Sequence, residues 1–233
     1  MNIENQRVVV LGGTSGIGYA VAEAAVAAGA DVVVVSSSAK RVRDAAERLA
    51  ATGVVADLTD PPTSLFDDIG PFDHLVYTAG EALSLMPVAE LDLARARDFF
   101  GLRYFGALAA VRGALPVLRP GGSITLTTGT AGDRPTPGWS VAASICGAMD
   151  SLTRALAVEL APLRVNAVKP GVTRSPMWGT DSEISDFYDQ TAASTPLGRV
   201  GEVTDAADAY LYLIGQPFTT GTIVTVDGGA TLG

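Results

Sequence analysis

Short apolar, β-branched runs alternate along this chain with stretches whose apolar residues recur at helical spacing. RVVVL (7–11), DVVVVS (31–36), GVVAD (53–57), DHLVYT (73–78), SITLTT (123–128), RVNAVKP (164–170) and TIVTVDG (222–228) predict strands. Between the first two, Ile17, Val21, Ala24, Ala25 and Ala28 mark one helical face, which Gly29 closes as a left-handed cap. A charged helix is expected over 39–51 and long helices over 92–118, 140–161 and 202–214. Strands that read as continuous hydrophobic runs must be covered on both faces, which a parallel sheet between helices provides. With right-handed crossovers the order predicts an α/β fold: a single-domain Rossmann-type doubly wound parallel sheet over 1–233, flanked by helices on both faces. The long irregular stretch is 171–201, with a short helix near 183–193. Beside the strand ends, 175–200 is expected to be a substrate lid or else a plain connection.

Composition narrows the partners. The chain is 48% hydrophobic and 18% charged, as a compact globular protein is. A net charge of −9 argues against nucleic acid or an anionic membrane as the main partner. One cysteine makes no internal disulfide and fits a reducing compartment. MNIENQRVVV has no positively charged region followed by a long apolar stretch, which predicts no signal peptide, and no apolar run approaches the length of a membrane span. The expectation is a cytoplasmic protein. No cluster with metal-ligand spacing occurs, so no metal is expected.

The first strand ends in Gly12-Gly13-Thr14-Ser15-Gly16-Ile17-Gly18. Glycines between a strand and a helix let the backbone turn tightly and approach a pyrophosphate, whose charge suits a helix N-terminus. Here the chain resembles the short-chain dehydrogenase/reductase family, from LGGTSGIG to TIVTVDGG. The glycine pattern matches the family's TGxxxGxG, with Leu11 in place of the threonine. The resemblance implies that Asp57-Leu58 lie near the adenine and that Tyr77-Thr78-Ala79-Gly80 replace Asn-Asn-Ala-Gly. It also implies that Pro170-Gly171-Val172, with Ser175, meet the nicotinamide amide. PLGRVGE (196–202) and VDGG (226–229) resemble the family's C-terminal signature.

The end of the second strand sorts nicotinamide cofactors: a carboxylate there binds ribose hydroxyls, and a basic setting accommodates a 2′-phosphate. Here Ser36-Ser37-Ser38-Ala39-Lys40-Arg41 holds hydroxyls and cations and no carboxylate, which favours NADP(H) over NAD(H). The bland alternative makes the serines a helix cap and the cations a solvated surface.

The family's chemistry uses a tyrosine for proton transfer, a lysine four residues later, a serine and an asparagine. Registering on SLTRALAVEL puts the tyrosine and lysine positions at Ala142 and Cys146, the serine position at Gly129 and the asparagine position at Arg103. No tyrosine or lysine occurs anywhere from 129 to 160. Hydride transfer needs geometry, but the proton partner, typically worth about 10²–10⁴-fold, is gone. Thr128, Ser140, Tyr77, Tyr104 and Tyr188 carry hydroxyls near the expected site, each also readable as structural. Trp139 stacks on a substrate or packs under the lid. Arg103 holds an anionic group or lies at a surface. Cys146 reads as a small apolar filler, because His74 starts its strand and lies roughly 13 Å below the ligand-binding edge.

Three functions compete. One is an NADP-dependent oxidoreductase that acts on a small organic substrate without the usual tyrosine. Another is a dinucleotide-binding sensor. The last is a non-redox isomerase or cyclase on the same scaffold. The resemblance also implies a homodimer or homotetramer. Helices 92–118 and 140–161 would pack across a two-fold axis, with Leu152, Leu156 and Leu160 offered to that contact.

Overall fold

The computed structural model describes residues 3–60, 64–83, 85–179 and 183–232. In chain order the elements are β1 (Arg7–Leu11), α1 (Gly16–Ala27), β2 (Asp31–Ser36), α2 (Ala39–Leu49), β3 (Thr52–Val55), α3 (Leu65–Ile69) and β4 (Phe72–Tyr77). Then come α4 (Leu93–Phe100), a π-helical segment (Gly101–Gly106), α5 (Ala107–Ala114), β5 (Leu118–Thr127), α6 (Ser140–Glu159) and β6 (Arg164–Pro170). β7 (Thr173–Arg174), α7 (Glu183–Ser194), β8 (Gly201–Glu202), α8 (Val203–Gly215) and β9 (Ile223–Val226) complete the chain. A 7-stranded sheet runs β3-β2-β1-β4-β5-β6-β9, and the order doubles back at β1 and β4. Its ladders are all parallel.

Alternation along the strands divides the core. Val9, Leu11, Val33, Leu75, Ile124 and Ala167 face one layer with α5 and α6, whereas Val8, Val10, Val34, Val76 and Val168 face α1 and α8. The four residues Val8 to Leu11 are 0% exposed, so β1 is buried on both sides. Each such valine contributes about 1.5–3 kcal/mol of burial. Gly29 ends α1 with φ +83°, and the Ala30 N–H bonds back to the Ala25 carbonyl, a Schellman closure.

Several expectations need correcting. The helix foreseen over 92–118 is broken by the π-helical segment and stops at Ala114, because Pro116 has no N–H to donate back to the Arg112 carbonyl. Leu118 already belongs to β5. α3 and the short β7–β8 ribbon had no periodic signal. α6 is long and apolar enough, by length and composition, to cross a membrane, contrary to the reading that no apolar run approaches that length. Val141, Ile145 and Met149 bury one of its faces in the sheet-side core. Leu152 and Leu156, expected at a two-fold contact, are buried in that same core, and Leu160 is packed against it. Within the expected lid, 180–182 lie outside the described residues.

Candidate functional site

A cleft of about 590 Å³ opens over the carboxyl ends of β1, β4, β5 and β6. Gly12 forms its floor with φ +87°, and a Cβ there would stand 2.7 Å from the Ala79 backbone nitrogen. A Cβ on Gly18 would meet the Gly12 carbonyl oxygen at 2.3 Å. The turn and the start of α1 therefore close together only with glycine. Ser15 precedes α1 with its side chain making no cap, and Thr14, Ser15, Gly16 and Ile17 bring the uncapped first turn to the cleft lining. That is where an anion is stabilised. Gly16 (φ +53°) sits across from Ser175, whose Cβ is 3.6 Å from where a Cβ on Gly16 would stand.

At one end of the cleft lie Ser36, Ser37, Arg41, Asp57, Leu58 and Thr59. Asp57 accepts hydrogen bonds from the Thr59 amide (2.9 Å) and hydroxyl (2.7 Å), which hold its carboxyl below the usual range. Ser38 and Lys40 do not line the cleft. Ser38 caps α2 by accepting from the Arg41 amide at 3.4 Å, and Lys40 turns to Asp44 at 2.6 Å. For these two the bland alternative describes the structure, and the cation at the cleft is Arg41.

At the other end Pro170, Gly171, Val172 and Ser175 face Ala79 and Gly80. The Ser175 hydroxyl is buried without a hydrogen-bond partner. Arg103, Gly129, Ala142 and Cys146, from four separate segments, all line this end. Arg103 lies flat on Gly80, where a Cβ would be 2.7 Å from its Nη1. Its guanidinium donates to the Glu81 carbonyl and stands over the Phe99 ring at 5.3 Å. Its Nε is 3.4 Å from the Glu81 carboxylate, close enough to pair in charge but without a hydrogen bond. The space that an asparagine would leave to water is filled by guanidinium.

The hydroxyl candidates are committed elsewhere. Thr128 lines the cleft but donates to the Cys146 carbonyl at 3.0 Å. Tyr77 donates to the Leu102 carbonyl at 2.6 Å, and burial pushes its pKa up. Ser140 is exposed outside the cleft lining. Tyr188 is 5% exposed, and its hydroxyl meets the Ser175 backbone rather than the cleft. Burial also pushes the Cys146 thiol up, more than the Gly132 amide beside it offsets. His74 is buried at the far end of the sheet between Ser123 and Gln6. The hydroxyls of Thr128, Tyr77 and Tyr188 are thus turned to backbone partners. Among the described residues no group of His, Cys, Asp or Glu is arranged to hold a metal ion.

The model of the SDR-like Rossmann domain matches residues 1–233. The chain is 38% identical to the short-chain dehydrogenase/reductase ATR9 of Stachybotrys chlorohalonatus, over 99% of this chain and 98% of the relative. The chain belongs to the short-chain dehydrogenase/reductase family. A small-chain dehydrogenase solved in complex with NADPH is 36% identical, with a TM-score of 0.87 over 99% of this chain and 100% of that one. MalC reductase/Diels-Alderase from Malbranchea aurantiaca is 27% identical, with a TM-score of 0.90 over 99% and 98%. A 3-ketoacyl-(acyl-carrier-protein) reductase from Brucella melitensis, complexed with NADH, is 26% identical with a TM-score of 0.89 over 99% and 100%. Within the family, this chain is an oxidoreductase-type member built for a nicotinamide cofactor.

Trp178, Thr59 and Lys169 escaped the sequence. Thr59 joins the cleft through its bonds to Asp57, and only the Asp-x-Thr spacing signals it. Lys169, 5% exposed, bridges Asp133 and Asp150 at 2.6 Å each. It ties the loop after β5 and α6 to the strand that carries Pro170. Its signal was a lysine in the apolar run RVNAVKP. The two carboxylates more than offset burial and hold Lys169 above its ordinary pKa, and Lys169 does not line the cleft.

Proposed function

We propose that the chain is an NADP(H)-dependent oxidoreductase that acts on a small organic substrate without the tyrosine–lysine proton route. The reading is supported by the lining of one cleft, where Gly12, Gly16, Gly18, Pro170 and Ser175 stand beside Arg103, Gly129, Ala142 and Cys146, and the last four positions hold no asparagine, serine, tyrosine or lysine. The residues fit a nicotinamide dinucleotide. Gly12 to Gly18 and the open first turn of α1 would take the pyrophosphate, and the unpartnered Ser175 hydroxyl would take the carboxamide. Ser36, Ser37 and Arg41 would take a 2′-phosphate, with no carboxylate at the end of β2 to repel it. When bound, the cofactor supplies a hydride.

The protein's part is to place the acceptor carbon and exclude water. A ketone reduced here would leave an alkoxide with no partner. An iminium carbon takes hydride while its nitrogen keeps the π electron pair, and a quinone delocalises the charge it gains. Such acceptors suit this cleft. NADPH oxidation against a panel of ketones, quinones and imines tests the reading. Activity on imines or quinones supports it, and robust ketone reduction overturns it.

A second reading has support in one neighbour, the MalC structure named for both a reductase and a Diels-Alderase. A cleft emptied of proton donors suits cyclisation or ligand sensing as well as hydride transfer. Tight NADPH binding with silence across the panel would favour that reading. In either case we place the protein in the cytoplasm as a homodimer or homotetramer, with 175–200 serving as a lid.

A further inference from the structure

We propose that the outer part of the cleft binds a flat, fused-ring aromatic carbonyl compound, stacked against a braced tryptophan wall. This rests on the reading of the cleft as a combined cofactor and substrate site. The chain has only two tryptophans among few aromatics, and both Trp139 and Trp178 line this one cleft. Their ring centroids are 5.9 Å apart at 39°.

The wall is held from behind. Trp178 packs on Phe187 of α7 at 4.9 Å, and Phe187 packs on Tyr188 at 5.8 Å. Tyr188 is in turn buried, its ring under the Arg174 guanidinium at 4.5 Å and its hydroxyl on the Ser175 backbone at 3.3 Å. A ring stack fixed in this way presents a rigid face at small entropic cost to a ligand ring. Gly129 and Ala142 line the same cleft and take up little of its space.

The polar complement points to the substrate's oxygen. Trp178 Nε1 is a buried donor without a hydrogen-bond partner on a residue that lines the cleft, whereas Arg103 Nε is turned to the Glu81 carboxylate at 3.4 Å. Buried indole N–H groups ordinarily find an acceptor. A carbonyl oxygen on an aromatic ring system satisfies a donor and keeps the faces apolar. An aliphatic carbonyl compound satisfies the donor but forgoes the stacking.

Calorimetric titration of the NADP⁺-saturated protein with 2-quinolone and with 2-piperidone tests this, because the two share a lactam and differ in the fused aromatic ring system. The oxidised cofactor prevents turnover, so failure of the redox reading leaves this result standing. Binding of 2-quinolone at least about ten-fold tighter than 2-piperidone is expected. Trp178→Phe, which keeps a ring and loses the N–H, should weaken 2-quinolone several-fold, and Trp178→Ala should weaken it about ten-fold or more. Equal affinities for the two lactams in the wild-type protein, or undiminished 2-quinolone binding in a folded Trp178→Ala variant, would overturn the proposal.

Discussion

The Sγ of Cys146 lies 3.2 Å from where a Cβ on Gly129 would stand. The two positions that a serine and a lysine occupy in the usual family chemistry are thus packed against one another. Gly129→Ser alone must push the thiol aside, and Ala142→Tyr alone leaves a hydroxyl with no cation to lower its pKa from about 10. Each single change should recover little ketone reduction. Gly129→Ser, Ala142→Tyr and Cys146→Lys together should recover more than the sum of the separate effects, because such groups act as a unit. Arg103→Asn, which clears the guanidinium from Gly80, should raise this further. Steady-state NADPH oxidation with a ketone panel measures it.

Arg41 lines the cleft and Lys40 pairs with Asp44, so the two cations should behave differently. Calorimetry should show NADPH bound more tightly than NADH. Arg41→Gln should reduce that preference about ten-fold or more, the worth of a charged hydrogen bond, while Lys40→Gln leaves it unchanged. Gly16→Val should abolish binding of both cofactors, since φ +53° strains a β-branched residue and its side chain would point toward Ser175. A preference lost on changing Lys40 would reverse the assignment.

The sheet was legible because its valine runs need cover on both faces, a demand that one residue after another repeats along β1, β2 and β6. The glycine turn was legible because steric need and phosphate chemistry select the same residue at Gly12 and Gly18. What stayed hidden depended on partners far along the chain. Ser38 and Arg41 stand three residues apart, and only the start of α2 decides which one caps and which one faces the cleft. Leu152 and Leu156 carry the same apolar signal whether they meet a sheet or a second subunit. Arg103 could not be read as lying on Gly80, because the π-helical segment that carries it leaves no mark in the apolar spacing.

His74 ties stability to pH. Burial, reinforced by the charge of Arg164, lowers its pKa from 6.5 to about 4. The unfolded chain takes up a proton as pH falls through 6.5, and the folded chain does so only near 4. Stability is therefore present above pH 6.5 and lost as the pH falls toward 4, by up to about 3 kcal/mol from this group. Urea unfolding at pH 7 and pH 4.5 should show a smaller difference for His74→Gln than for the wild type. An identical difference would remove His74 as the cause.

With Leu152 and Leu156 turned inward, a subunit contact must use other residues. Phe105 is 60% and Val158 81% exposed, on the π-helical segment and α6. Light scattering at micromolar concentration should give a dimer or tetramer, and Phe105→Glu with Val158→Glu should shift it toward monomer. A monomeric wild type would contradict the assembly.

The cleft is proposed to transfer hydride without a tyrosine relay. Single-turnover oxidation of bound NADPH by a preformed cyclic iminium and by the ketone of matching ring size tests it most directly, measured from pH 6 to pH 10. The iminium should react at least about 10²-fold faster than the ketone, the lower end of what acid–base assistance supplies, and neither rate should follow a tyrosine-like ionisation. Ketone reduction at a rate comparable to the iminium would show that a proton donor operates in the cleft.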